Sequence, residues 1–309
     1  MPEPKPATEP KSISESESST ALADELFRPY PQEDEYVQFT LDEGVEVLVF
    51  KDGSTDLNNG YSDKRVVLTL QKYIHGKITL DEATRTMLDF VPKGNGSGSF
   101  GGCMMQVAGQ IPYTHRLGHA RLVQLLRNVY YFLGSASLNQ FGIEIYENFE
   151  PDLETEYNDR PTPADPYCQT LNLGCFFAQL SQNGLFNMAT EGIRTMRRLE
   201  QTEFDDGAYR YTDCYVSLAA LWIIFAGQSL YTAVVEAYDP RLSPGGQKQN
   251  ALHDPGPLYK GPISGKERWA FWRDALKAAA ERENGSDESR RLAKNAAEVM
   301  DVIERSFQF

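Results

Sequence analysis

Asp213-Cys-Tyr-Val-Ser-Leu-Ala-Ala-Leu-Trp-Ile-Ile-Phe-Ala-Gly-Gln-Ser-Leu-Tyr-Thr-Ala-Val-Val-Glu236 holds twenty-two residues between its two acids, and none of them carries a formal charge. Two structures suit such a stretch. One is a membrane span, which needs about twenty apolar residues; the other is the central helix of a buried core. Tyr215, Ser217, Gln228, Ser229 and Thr232 dilute the apolarity, and Gly227-Gln-Ser breaks it just past the middle. Neither flank carries the Lys/Arg cluster expected on the cytoplasmic side of a span. The segment reads as a helix over about 209–238 that is buried on all sides, with amphipathic helices packed around it.

The chain on either side supplies those helices. Towards the C-terminus, Ser264-Gly-Lys-Glu267 matches a capping box, and Trp269, Trp272, Leu276 and Ala280 follow on one helical stripe. Asn284-Gly285 stops that helix. Ser286 caps the last one, whose Leu292, Ala296, Val299, Ile303 and Phe307 form a second stripe. Two helices joined this closely pack antiparallel. On the N-terminal side, Asp165-Pro166 opens a helix closed by Asn183-Gly184, and a further helix covers about Leu185 to Glu200. Thr114 is the expected cap of a helix reaching about Gly134, with Leu117, Leu125, Val129, Phe132 and Leu133 inward. Thr79-Leu-Asp-Glu82 is a second capping box, and a helix from Lys64 to Ile74 ends at Gly76. Thr40-Leu-Asp-Glu43 has the same pattern, but Val45-Glu-Val-Leu-Val-Phe50 equally suits a strand. The fold class is therefore all-α, an antiparallel helical bundle around the central helix.

Residues 1–36 contain nine acids against three basic residues and are rich in Pro, Ser and Glu, the composition of a disordered tail. The rest, 37–309, is expected to form one helical domain, with the acid- and proline-rich loop 150–165 as an internal boundary candidate. The formal charge is −14. An acidic body of this kind repels phosphate backbones and anionic lipid heads, so nucleic acid is excluded as a partner and a membrane surface is disfavoured. No apolar signal segment opens the sequence. Cys103, Cys168, Cys175 and Cys214 form no C-x-x-C pair. Cys168 and Cys175, seven apart on one helix, stand about 10 Å apart, too far for a disulfide. A reducing compartment follows: the cytoplasm, with the nucleus as the other choice.

Candidate chemistry is sparse. Gly96-Ser-Gly-Ser-Phe-Gly101 satisfies G-x-G-x-x-G, yet a helix and Pro92 precede it and no acid lies about twenty residues on, so a dinucleotide site is excluded. A flexible connector is expected over 94–102. His115 and His119 stand one turn apart, but the Glu of H-E-x-x-H is missing and Arg116 and Arg121 would repel a cation. No metal site is assigned. His253-Asp254 lies in the long loop 239–264 without a nucleophile beside it. His115, His119, His253 and Asp254 are the only catalytic candidates, and no cofactor is implied. Arg194, Arg197 and Arg198 cluster near a helix end, where local ion pairing with Glu203-Phe-Asp-Asp206 is expected.

Ala219-Ala-Leu-Trp-Ile-Ile-Phe-Ala-Gly-Gln228, Arg268-Trp-Ala-Phe-Trp-Arg273 and Ala296-Ala-Glu-Val-Met-Asp-Val-Ile-Glu304 are similar to a helical family of fungal proteins, domain of unknown function 3632. Tyr73-Ile-His-Gly-Lys-Ile-Thr-Leu-Asp-Glu-Ala83 resembles its opening helical pair. The resemblance would extend over about 37–309, with the Gly-rich 94–102 segment as an insertion. It implies a helical intracellular protein and transfers no catalytic residue. Some members lie beside secondary-metabolite genes, which implies an accessory role. Two functional classes result. One is a non-catalytic interaction module that binds a protein or small molecule through a groove between helices or the 239–264 loop. The other is a cofactor-independent accessory enzyme with an apolar pocket between helices.

Overall fold

The computed structural model describes residues 36–40, 46–50, 63–91, 97–133, 166–186, 188–201, 209–236 and 254–307. The 1–35 tail, the loop 150–165, the 203–206 acids and His253 lie outside the described residues. Among the described residues the fold is helical. Its α-helices are α1 (Asp63–Ile74), α2 (Leu80–Phe90), α3 (Ser97–Gln110), α4 (Arg116–Leu133), α5 (Pro166–Gln182), α6 (Ala189–Arg197), α7 (Tyr209–Tyr231), α8 (Lys266–Ala280) and α9 (Asp287–Ser306). A 3₁₀ turn, Arg198–Glu200, follows α6, and a π turn, Thr232–Glu236, continues α7. Strands β1 (Tyr36–Thr40) and β2 (Glu46–Phe50) pair antiparallel, with Tyr36 opposite Phe50 and Thr40 opposite Glu46. Thr40 ends β1, the rest of that T-x-x-E match lies outside the described residues, and Glu46–Phe50 of the Val-rich run form a strand.

α7 is the core helix. Every residue from Cys214 to Ile223 is buried, and Ala226, Leu230, Tyr231 and Val234 continue the inward face. The segment Thr212–Val235 is long and apolar enough for a span, but its best window is already 61% buried inside the protein. α5 and α9 cover most of it, with α6 closing another side. The helix bends at Ala226 (φ −136°, ψ 18°), next to the Gly227-Gln-Ser interruption.

The C-terminal pair packs as expected. Arg273 bonds Glu304 at 2.5 Å and Lys277 meets Asp301 at 3.0 Å, which sets α8 and α9 antiparallel. Trp269, Trp272 and Leu276 of α8 and Leu292, Ala296 and Ile303 of α9 are buried. Ser286 caps α9 by accepting from the Ser289 N–H. Two other helices end in the same way. Gly76 (φ +70°) and Gly184 (φ +66°) each take the left-handed conformation. In both, the following amide reaches back to the carbonyl five residues earlier, Lys77 to Lys72 and Leu185 to Leu180. Asn172 on α5 joins two further segments, accepting from the Tyr113 N–H and donating to the Gly109 carbonyl, both at 2.8 Å.

Five expectations need correction. Residues 97–110 are helix α3, not a connector. Phe100, Cys103, Met104, Val107 and Ala108 are all buried at helical spacing. Their burial outweighs the helix penalty of about 1 kcal/mol per glycine. Ser264 does not cap α8. Gly265 occupies that position with φ +115°, and its N–H is spent on the Val234 carbonyl. Thr114 does not cap α4 either; the His115 ring accepts from the Gly118 N–H at 3.1 Å. Leu117 and Phe132 point outward, because the inward stripe of α4 runs through Leu122, Leu125, Leu126 and Val129. The helix expected over 185–200 is shorter, since Leu185 belongs to the turn after Gly184 and the last three residues tighten to 3₁₀.

Candidate functional site

The most heavily bonded polar group in the described interior is Glu200, at the end of the 3₁₀ turn. Its carboxylate is fully buried and its partner Arg268, on the first turn of α8, is 1% exposed. Oε1 accepts from Arg268 Nε at 2.6 Å and from Trp272 Nε1 at 2.7 Å. Oε2 accepts from Arg268 Nη2 at 3.1 Å and from the Gly256 N–H at 2.6 Å. The Glu200 carbonyl takes the Leu258 N–H, and Arg268 Nη1 donates to the Ile263 carbonyl at 2.5 Å. The guanidinium lies 5.1 Å from the Trp272 ring centroid. One carboxylate thus ties the 254–265 segment to α8 and to the end of α6. Gly256 is sterically required there, because a Cβ would stand 2.7 Å from the Glu200 carbonyl oxygen.

The geometry suits a structural knot. A buried charge needs its full set of hydrogen bonds, and here the carboxylate has four donors, leaving no lone pair for a substrate. Arg268 and Trp272 are four apart on a helix whose buried stripe the sequence displays. An arginine on such a face demands a buried acid. That signal points to Arg268 but not to Glu200, one of 44 acids in the chain.

His115 and His119, the described histidine candidates, have separate roles. His119 is fully buried on α4, with Nε2 at 3.1 Å from the Ala108 carbonyl and Phe176 beside its ring. Nδ1 is buried without a hydrogen-bond partner. Burial pushes its pKa down to about 4, with the Ala108 bond opposing and His115 assisting. It is a neutral core side chain at pH 7. The His115 ring is occupied in capping the same helix. No group of three or more metal-ligating side chains occurs among the described residues. Asp254 is exposed. The arginine cluster also separates: Arg194 meets the buried Glu191 at 3.5 Å, while Arg198 lies 4.9 Å from the Tyr215 ring centroid.

A cleft of about 370 Å³ opens where the α1–α2 turn meets α4, lined by Tyr73, Lys77, Ile78, Leu80, Glu82 and Arg121. Gly76 brings the turn beneath the Arg121 guanidinium. Arg121 Nη1 donates to the Ile74 carbonyl, the last of α1. Glu82 is already committed: Oε2 accepts from the Thr79 N–H at 2.8 Å and its hydroxyl at 2.9 Å, which holds the carboxyl below its usual range. The Tyr73 hydroxyl makes a 3.4 Å bond to Gln124, and burial raises its pKa while Arg121 pulls it back. Lys77 and Arg121 are therefore two cations with no carboxylate at ion-pair distance among the described residues. Leu117, one turn before Arg121 on the same face, is 67% exposed. The Thr79 capping box and the family-like Tyr73–Ala83 segment marked the turn in the sequence, but nothing there brought it to Arg121.

No curated protein and no solved structure matches the chain. A family model, Protein of unknown function (DUF3632), matches residues 102–276, which include the α7 stretch, Glu200, Arg268 and Trp272. The Tyr73–Ala83 and Ala296–Glu304 segments fall outside that match, as does all but the last residue of the Gly-rich 94–102 run. Since the match covers more than half of the 309 residues, the chain belongs to this DUF3632 family.

Proposed function

We propose that this chain is a non-catalytic helical interaction module, working in the cytoplasm and docking a partner segment in the cleft between α1, α2 and α4. The observation that carries the reading is the cleft itself: two cations, Lys77 and Arg121, beside the apolar Ile78 and Leu80, with exposed Leu117 one turn away. Docking sites for chain segments combine apolar contact area with a few placed polar groups. By contrast, the described acid–base candidates are occupied or isolated. His115 caps a helix, His119 is buried, and the Glu200 carboxylate is fully bonded.

A photo-crosslinking side chain at Leu117, compared with one at the exposed Lys294 on α9, tests the docking reading in the host cell. A discrete adduct from position 117 and none from 294 is the expected result. Identical labelling from both positions would remove the reading.

The competing reading is an accessory enzyme of fungal secondary metabolism. It predicts that His115→Ala or Asp254→Ala abolishes a metabolite in the host while the protein still accumulates and folds. Unchanged metabolite profiles in both variants are expected here.

A further inference from the structure

We propose that Asn284, in the turn between α8 and α9, is a self-modifying site. Its side-chain amide is lost as ammonia, which leaves aspartate or isoaspartate at position 284 and loosens the turn from the start of α7. The inference is independent of the cleft. The chemistry needs an asparagine followed by a residue without a side chain, and Asn284-Gly285 supplies both. The Gly285 backbone nitrogen attacks the Asn284 Cγ, and the new C–N bond closes a succinimide ring. The side-chain nitrogen leaves as ammonia, taking the proton that the Gly285 amide gives up. Water then opens either ring carbonyl. The net change is uptake of water and release of ammonia, with nothing oxidised or reduced.

A second Asn-Gly pair among the described residues, Asn183-Gly184 after α5, shows what selects this one. Both asparagines are exposed, so access to water does not distinguish them. After α5 both reacting groups are tied. Asn183 Nδ2 donates to the Gln179 carbonyl at 2.8 Å, and the Gly184 N–H is held on the Ser181 carbonyl at 3.0 Å. After α8 the restraint is missing. No hydrogen bond among the described residues holds the Asn284 side chain. The Gly285 N–H reaches the Arg282 carbonyl only at 3.4 Å, outside the usual range of about 2.7–3.2 Å. The consequence follows from the neighbours. The Ser286 N–H donates to Asp213 Oδ2 at 2.8 Å, and the Ser289 hydroxyl donates to the Asp213 carbonyl at 3.4 Å, which ties the turn to α7. Isoaspartate lengthens the main chain by a carbon just before Gly285. It also brings a new carboxylate towards that of Asp213, which repels it. Both changes draw the Ser286 amide off Asp213.

The test ages the full chain in mildly alkaline buffer and follows positions 284 and 183 by peptide mass spectrometry. Two hydrogen bonds restrain Asn183-Gly184 that Asn284-Gly285 lacks, so conversion at 284 is expected to be at least about ten-fold faster. In concentrated urea, which releases both pairs, the two rates should converge. Equal rates at the two positions in the folded chain, or no conversion at 284, would overturn the proposal. Gly285→Ala should slow conversion at 284 to the rate seen at 183 or below. The variant keeps the fold, because Gly285 is not left-handed and a Cβ there meets nothing nearer than Arg290 Cγ at 3.4 Å. Hydrogen exchange reads the consequence. The Ser286 amide should exchange faster in the aged native sequence than in the equally aged Gly285→Ala chain, while the Met300 amide in the middle of α9 serves as control. Equal Ser286 exchange in converted and unconverted chains would overturn the loosening of the turn.

Discussion

Arg268 and Arg121 each donate to a backbone carbonyl, and their surroundings differ in one respect. Arg268 is buried beside Glu200, with a tryptophan, a glycine amide and a loop carbonyl completing the set. Arg121 is half-buried at the rim of an open cleft, with no carboxylate of the described fold against it. A charge removed from water must have its partner built into the same chain, because the desolvation cost is several kcal/mol. A charge left at a rim keeps its water until something else arrives, and surface ion pairs contribute about 0–1 kcal/mol. The first arrangement stabilises the protein. The second leaves its cation at the solvent-facing rim, where the proposed docking would use it.

The largest expected effect breaks the first arrangement. Glu200→Ala leaves Arg268 buried without its counter-charge, for which a loss of about 3–5 kcal/mol is expected. Urea titration followed by circular dichroism measures it; a loss below about 1 kcal/mol would mean that water or a neighbour replaces the carboxylate. Gly256→Ala attacks the same knot from the loop side. A Cβ 2.6 Å from the Glu200 Cβ and 2.7 Å from its carbonyl must push the loop away. The cost of such overpacking is about 1–3 kcal/mol.

His119 extends the comparison to a buried group whose proton is the variable. Its pKa falls from 6.5 to about 4 on folding. The unfolded chain therefore binds the proton first as pH drops. The stability associated with the neutral ring is fully present above about pH 6.5 and is lost progressively down to about pH 4, by up to about 3 kcal/mol. His119→Gln should flatten that slope in denaturant titrations between these limits. An unaltered slope would assign the acid sensitivity to carboxylates instead.

How far the sequence reveals these features follows from the physics of each. The α7 run, the Trp269–Trp272 stripe and the Gly76 and Gly184 stops were legible because burial and turn geometry act on neighbouring residues. The α3 helix was obscured by its glycines, although Phe100, Cys103, Met104, Val107 and Ala108 display the 3.6-residue period on inspection. Ser264-Gly-Lys-Glu267 had every residue of a capping box, yet a tertiary hydrogen bond from Gly265 to Val234 displaced it. Glu200 with Arg268, and Arg121 with the α1–α2 turn, join residues 68 and 47 positions apart. No local pattern encodes such a pairing.

The smallest expected effect on stability concerns the cleft. Thr79→Ala removes a capping oxygen bonded to the Glu82 N–H, and should cost about 1 kcal/mol. Lys77→Gln removes one of the two cations and no hydrogen bond of the fold, so stability should stay within about 0.5 kcal/mol of the native chain. The same substitution should weaken occupation of the cleft, read as reduced capture by the crosslinker at Leu117. That dissociation of stability from binding is what separates the two arginine environments. Were Lys77→Gln to destabilise the fold by as much as Gly256→Ala, the cleft would be a second structural knot, and the contrast between a satisfied and a waiting charge would collapse.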